Sequence, residues 1–112
     1  ELFKNNTHIT NHPEKPLVLP ATSLAENCYS QMFSGCTHLI NAPELPATNL
    51  SEGCYESMFQ GCTGLITAPV LSARRLADSC YDSMFSGCTG LTSAPSLPAE
   101  TLADNCYHKM FF

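Results

Sequence analysis

Residues 46–63 read PATNLSEGCYESMFQGCT, and this stretch recurs at a fixed interval along the chain. Cysteines stand at positions 28, 54, 80 and 106 and again at 36, 62 and 88, so each series advances by 26 residues. The stretch that follows, Leu65–Leu71, recurs as Leu39–Leu45 and as Leu91–Leu97. A fixed period of this length is typical of proteins built from stacked repeats, each of which buries its apolar face against the next.

The N-terminal residues follow the same pattern with a longer spacing. Leu2–Ile9 aligns with Met32–Leu39 at an offset of 30 residues in place of 26, so 30 − 26 = 4 extra residues lie near Lys15–Val18. Prolines on both sides of this insertion predict a longer turn. We therefore expect residues 1–112 to form a single array of about four coils that starts and ends in mid-repeat, as a fragment of a longer array.

The composition excludes several classes of protein. Apolar residues make up 44% of the 112-residue chain, which is enough material for an ordered core. The net charge of -5 argues against binding to nucleic acid, because phosphate contacts need a basic face. No apolar run approaches the roughly 18 residues of a membrane span, so no membrane-spanning segment is expected here.

Within each repeat the apolar spacing predicts one short helix and one short strand. Leu50, Cys54 and Met58 lie four residues apart, as on one face of a helix or helical turn. Leu65–Leu71 is typical of a short extended strand, interrupted by Pro69. We therefore expect an α/β solenoid of 26-residue coils, each with a short strand and a short helix or helical turn, and with the identical Met and Phe columns in its core.

Two further columns invite a functional interpretation. The acids Glu26, Glu52, Asp78 and Asp104 are interpreted as favourable charges at successive helix N-termini. A Ca²⁺ site would need several converging oxygens, and no acidic loop of that kind occurs. The four tyrosines share one column, which predicts either half-buried rings between repeats or an exposed binding stripe.

The cysteines are interpreted as a structural ladder. A catalytic cysteine would stand alone beside a base, and zinc sites use closely spaced pairs, whereas these cysteines recur with the repeat. Disulfides and buried thiols both remain open, but Asn6 in the place of Cys36 favours thiols, because Asn and Cys are small groups that can both hydrogen-bond to backbone at a turn. The ladder comprises Cys28, Cys36, Cys54, Cys62, Cys80, Cys88 and Cys106.

The repeat resembles a known family. Its unit, Leu-x-x-Ala-Pro-x-Leu-Pro-Ala-x-x-Leu-Ala-x-x-Cys-Tyr-x-x-Met-Phe-x-Gly-Cys-Thr, is similar to the BspA-like class of leucine-rich repeats over nearly the whole chain, and residues 58–63 are its most specific part. The resemblance implies a leucine-rich-repeat solenoid with short strands on one face. It also implies an extracellular or cell-surface location, since family members are typically surface or secreted proteins of host-associated bacteria and some protists, implicated in adhesion.

The columns that vary between repeats form the candidate ligand-binding surface, because the scaffold does not dictate them. We expect a non-enzymatic binding module, with a host or bacterial surface protein or a glycan as partner, and with end-to-end self-association as a further option. No catalytic residue, metal or cofactor is expected, because no catalytic constellation interrupts the repeat. The alternative is a structural spacer, since variable columns are also simply exposed positions. The candidate residues are Ile40, Asn41, Glu44, Ile66, Thr67, Val70, Thr92, Ser93 and Ser96.

Overall fold

The β-type pairing between repeats consists of isolated parallel bridges. The computed structural model describes residues 3–10, 19 and 21–111, and within these ranges the chain forms neither a helix nor a strand. The bridges are in register, because each joins residues that lie 26 positions apart in the sequence. They pair Ser23 with Asn49, Asn41 with Thr67, Leu45 with Leu71, and Arg75 with Thr101.

The predicted leucine-rich-repeat solenoid, an α/β repeat with a strand and a helix in every coil, is therefore wrong. The 26-residue repeats do lie side by side, but their segments are turns and irregular extended backbone instead of helices and sheet strands. Prolines in the extended segment remove N–H donors, which limits it to single bridges. The extra residues predicted near positions 15–18 lie outside the described residues.

The segment predicted as a helix is a run of overlapping four-residue turns. The N–H of Met58 donates to the carbonyl oxygen of Tyr55 at 3.1 Å, three residues back in the same repeat. The N–H of the next residue, Phe59, instead donates to the carbonyl oxygen of Met84 in the next repeat, also at 3.1 Å. This alternation runs through residues 27–36, 53–62 and 79–86, so the N–H groups of these segments are satisfied without the helical bond four residues back.

A left-handed residue at every fourth position explains why no helix forms. In the middle repeat, Gly53, Ser57 and Gly61 have φ angles of 62°, 53° and 74°. A right-handed helix needs negative φ at every residue, so each of these positions interrupts it. The equivalent positions in the other repeats are also left-handed: Asn27, Gln31, Gly35, Ser79, Ser83, Gly87, Asn105 and Lys109.

Stacked side chains fill the interior. The predicted core of Met and Phe columns is confirmed, since Met58, Met84, Phe33, Phe59 and Phe85 are at most 2% exposed. The phenylalanine rings stack from repeat to repeat at centroid distances of 5.5–5.9 Å, and the tyrosine rings stack at 5.9–6.0 Å. These spacings fall in the range of favourable aromatic pairs, about 4.5–7 Å. The two ladders are Phe3, Phe33, Phe59, Phe85 and Phe111, and Tyr29, Tyr55, Tyr81 and Tyr107.

Candidate functional site

The nine candidate binding residues all lie on the surface, on the extended segments that follow the turns. We number the repeats by their extended segments: Leu39–Leu45 in the first, Leu65–Leu71 in the second and Leu91–Leu97 in the third. The first two repeats bring their candidate residues together. Asn41 and Thr67 form a parallel bridge, and the N–H of Ile66 donates to the carbonyl oxygen of Ile40 at 2.9 Å. The third repeat adds exposed Thr92, Ser93 and Ser96, but within the described part of the chain no bridge ties them to the second repeat.

A groove of about 390 Å³ lies between the extended segments of the first two repeats. Its deeper residues, Pro43, Leu45 and Pro69, are buried, whereas Glu44 and Val70 rise from it as exposed side chains. Val70 is 77% exposed, the most of any large apolar residue on this surface. The groove is lined by Ala42, Pro43, Glu44, Leu45, Pro46, Ala68, Pro69, Val70 and Ser72.

Two of the nine candidates, Glu44 and Val70, are therefore placed at one concave site. Sequence reasoning missed the residues beneath them, because the candidates were the columns that vary, whereas the Ala-Pro pairs are identical between these repeats. The available signal was the alternation of side chains along an extended segment, in which neighbours of an exposed residue face inward. Pro43 and Leu45 on either side of Glu44 follow that alternation.

A second cavity of about 490 Å³ lies beside the third repeat. It takes in two other candidates, Thr92 and Ser93, together with ring surface from Phe85 and Phe111. Phe111 is 49% exposed because its ring has a stacking neighbour, Phe85, on one side. The cavity therefore lies beside the last described ring pair of the phenylalanine ladder, Phe85 and Phe111.

Both cysteine columns supply free thiols, and most of these are buried. In the column of Cys36, Cys62 and Cys88, each thiol donates a hydrogen bond to the backbone carbonyl oxygen of a phenylalanine in the preceding repeat. Cys62 bonds in this way to Phe33 at 3.0 Å. Cys36 and Cys88 make the equivalent bonds at 3.0 and 2.9 Å. Cys28, in the other column, is exposed. The redox state of these thiols in solution stays a prediction.

Burial suppresses the reactivity of the inner thiols. It raises the pKa of Cys54 and Cys88 to about 11 and that of Cys62 and Cys80 to about 12. The thiolate is the nucleophile and the metal ligand, so thiols that stay protonated at neutral pH are poor at either task. Within the described ranges, no three His, Cys, Asp or Glu side chains are grouped as a metal site would require.

The acidic column does not cap helices, because the segment that follows it is not helical. The prediction of helix-terminal charges is therefore wrong. One member has a local role instead, since a carboxylate oxygen of Asp78 accepts a hydrogen bond from the backbone N–H of Asp104 at 3.1 Å. All four acids are exposed.

The tyrosine column does not form an exposed stripe in the inner repeats. Tyr55 and Tyr81 are each 2% exposed, and burial raises the pKa of both hydroxyls. The hydroxyl of Tyr55 has no hydrogen-bond partner among the described residues. The tyrosines therefore belong chiefly to the packing of the repeats.

Comparisons with known proteins identify no relative: no family model, curated protein or solved structure matches the chain. In the described part of the chain, no helix is long and apolar enough to cross a bilayer.

Proposed function

We propose that the chain is a non-enzymatic protein-binding module of a cell surface or secreted protein, acting in adhesion or host interaction. The observation that carries this proposal is the row of nine exposed side chains that vary between repeats and include the apolar Ile40, Ile66 and Val70. Exposed apolar side chains grouped on one surface are a common feature of protein interaction sites. The surface location is supported by the family resemblance of the repeat.

The chemistry of the remaining residues supports a binding role over catalysis. The inner cysteines are protonated at neutral pH, and the repeated turns carry similar residues in each repeat. Catalysis requires a particular acid, base or nucleophile placed beside a cleft. The groove instead presents apolar surface with a single carboxylate, Glu44, and this chemistry supports recognition of a partner.

An array of purified matrix and cell-surface proteins, with glycans printed alongside, tests the proposal. We expect the chain to capture at least one protein on the array. Ile66→Asp and Val70→Asp should each abolish that capture, because a charge placed on an exposed apolar contact must be desolvated on binding. Val70 is 77% exposed, so Val70→Asp should keep the melting temperature of the parent chain, whereas Ile66→Asp should show a small loss, because Ile66 is only 46% exposed.

Gln60→Asp is the matched control, since Gln60 is exposed on the turn segment and the substitution adds the same charge. It should leave capture unchanged. Capture that survives both Ile66→Asp and Val70→Asp, or capture of glycans alone, would contradict a protein-binding surface at this site. Failure to bind any array member would favour the structural spacer.

A further inference from the structure

The groove between the first two repeats combines an apolar floor with one carboxylate. Pro43 and Pro69 lie at equivalent positions and are both buried, so their rings close the bottom of the groove. Val70 stands exposed at its edge. The volume of about 390 Å³ is at the lower end of the range for pockets that hold small ligands, so it suits one long side chain of a partner.

The carboxylate of Glu44 has no counter-ion within the described part of the chain. Two described basic side chains have partners elsewhere: Lys4 bonds to Gln31 at 2.7 Å, and Arg74 pairs with Glu100 at 3.1 Å. The chain as a whole carries a net charge of -5. The exposed carboxylate is thus available to pair with a cation of a partner, which the net negative charge of the chain would attract.

The scaffold does not require an acid at this position. The same column contains glutamate at Glu14 and Glu44 but Val70 in the second repeat and Ser96 in the third. The packing of the repeat therefore does not dictate the residue at this position, which leaves it available for recognition of a partner. Recognition of a positively charged group is the simplest demand that a carboxylate meets and that valine or serine does not.

We propose that this groove binds an arginine side chain of the protein partner, with its guanidinium paired to Glu44 and its stem packed on Pro43, Pro69 and Val70. This inference rests on the proposed protein-binding function. Arginine fits better than lysine because its guanidinium is planar and weakly hydrated and presents two parallel N–H donors to a carboxylate. Its methylene groups can lie along an apolar floor while the charged end stays near water.

A titration followed by nuclear magnetic resonance tests this assignment. The probe is an acetylated, amidated pentapeptide of sequence Val-Ala-Arg-Ala-Val. Saturable shifts are expected at the methyl groups of Ala42, Ala68 and Val70, which line the groove. Replacing the arginine of the peptide by citrulline, which keeps the shape and removes the charge, should weaken binding by about three- to fivefold, as expected for an exposed ion pair.

The variants of the protein complete the test. Glu44→Gln should weaken binding of the arginine peptide to the level of the citrulline peptide. Glu52→Gln, which removes an exposed carboxylate from the turn segment, is the matched control and should leave binding unchanged. Equal affinity for the arginine and citrulline peptides, or no effect of Glu44→Gln, would overturn the assignment. Tighter binding of the same peptide with lysine in place of arginine would also overturn it.

The outcome separates this inference from the proposed function. A chain that captures array proteins through Ile66 and Val70 but shows no shifts with the arginine peptide would retain its binding function and lose the arginine site. Shifts confined to the groove and dependent on Glu44 would support the site. In that case, failure to capture any protein on the array would count against the proposed adhesion function and not against the arginine site.

Discussion

Substitution of Gly61 by alanine distinguishes the observed turns from a helix. Gly61 has a φ of 74°, in the left-handed region, and its N–H donates to the carbonyl oxygen of Ser86 in the next repeat at 2.8 Å. A Cβ added here would meet Gly35 backbone atoms at 3.9 Å, an ordinary contact, so no steric clash contributes. The cost is then that of the left-handed conformation, and we expect the free energy of unfolding to fall by about 1–2 kcal/mol.

A helix would give the opposite sign. Alanine is favoured over glycine in a helix interior by about 1 kcal/mol, so the same substitution would raise the free energy of unfolding. The two structures therefore predict changes that differ by about 2–3 kcal/mol, well beyond the error of a denaturation experiment.

Urea unfolding followed by circular dichroism measures this difference. For Gly61→Ala we expect a lower midpoint at an unchanged denaturant slope, and a lower melting temperature by about 4–8 °C for each kcal/mol. The reciprocal control is Ser79→Gly, because Ser79 has a φ of 54° in the column where Gly53 already stands. It should raise the free energy of unfolding by up to about 1 kcal/mol, once the larger backbone entropy of unfolded glycine is subtracted. A Gly61→Ala chain at least as stable as the parent would refute the turn structure.

Three further predictions concern the phenylalanine ladder and the cysteines. Phe59→Ala should lower the free energy of unfolding by about 3–5 kcal/mol in urea titrations, because the ring is fully buried between Phe33 and Phe85. Phe111 is half exposed, so Phe111→Ala should lower it much less, and equal losses would contradict the ladder. Stability should be complete only below about pH 8 and should fall as the pH rises toward 12, by about 3 kcal/mol per buried thiol at pH 11, because the unfolded chain releases protons from Cys62 and Cys80 that the folded chain retains. A flat urea midpoint from about pH 8 to 11 would exclude this linkage. Ellman's reagent at pH 8 should label Cys28 ahead of the other thiols, and Cys28→Ser should remove that fast phase; denaturant should expose seven thiols, and fewer would mean that disulfides form.

The turn segment shows where prediction from sequence failed and which signal was available. A spacing of four at Leu50, Cys54 and Met58 fits a helix over a few turns, because a helix has 3.6 residues per turn. The pairs Cys54-Tyr55 and Met58-Phe59, followed by Cys62, recur at a constant interval of four, whereas one face of a helix drifts away from that interval at 3.6 residues per turn. Residues tolerant of left-handed backbone, such as glycine, serine and asparagine, recur between them at the same interval.

The candidate site was predictable only in part. All nine variable positions are exposed, as a column without a packing role should be. The register places Ala42–Pro46 beside Ala68–Ser72, but the groove between them was not predictable, because its shape depends on the backbone conformation of the two segments. The location of Glu44 above two buried prolines is a property of that contact.

The sequence by itself determined the 26-residue register and the columns that form the core, because identical apolar residues at a fixed period can be buried only by stacking on their equivalents. Only the tertiary structure decided the backbone conformation within a repeat. In residues 53–62, alternate N–H groups, such as that of Phe59, find their acceptors in the next repeat. A single repeat would leave those N–H groups to water, so the conformation depends on the neighbour that accepts them.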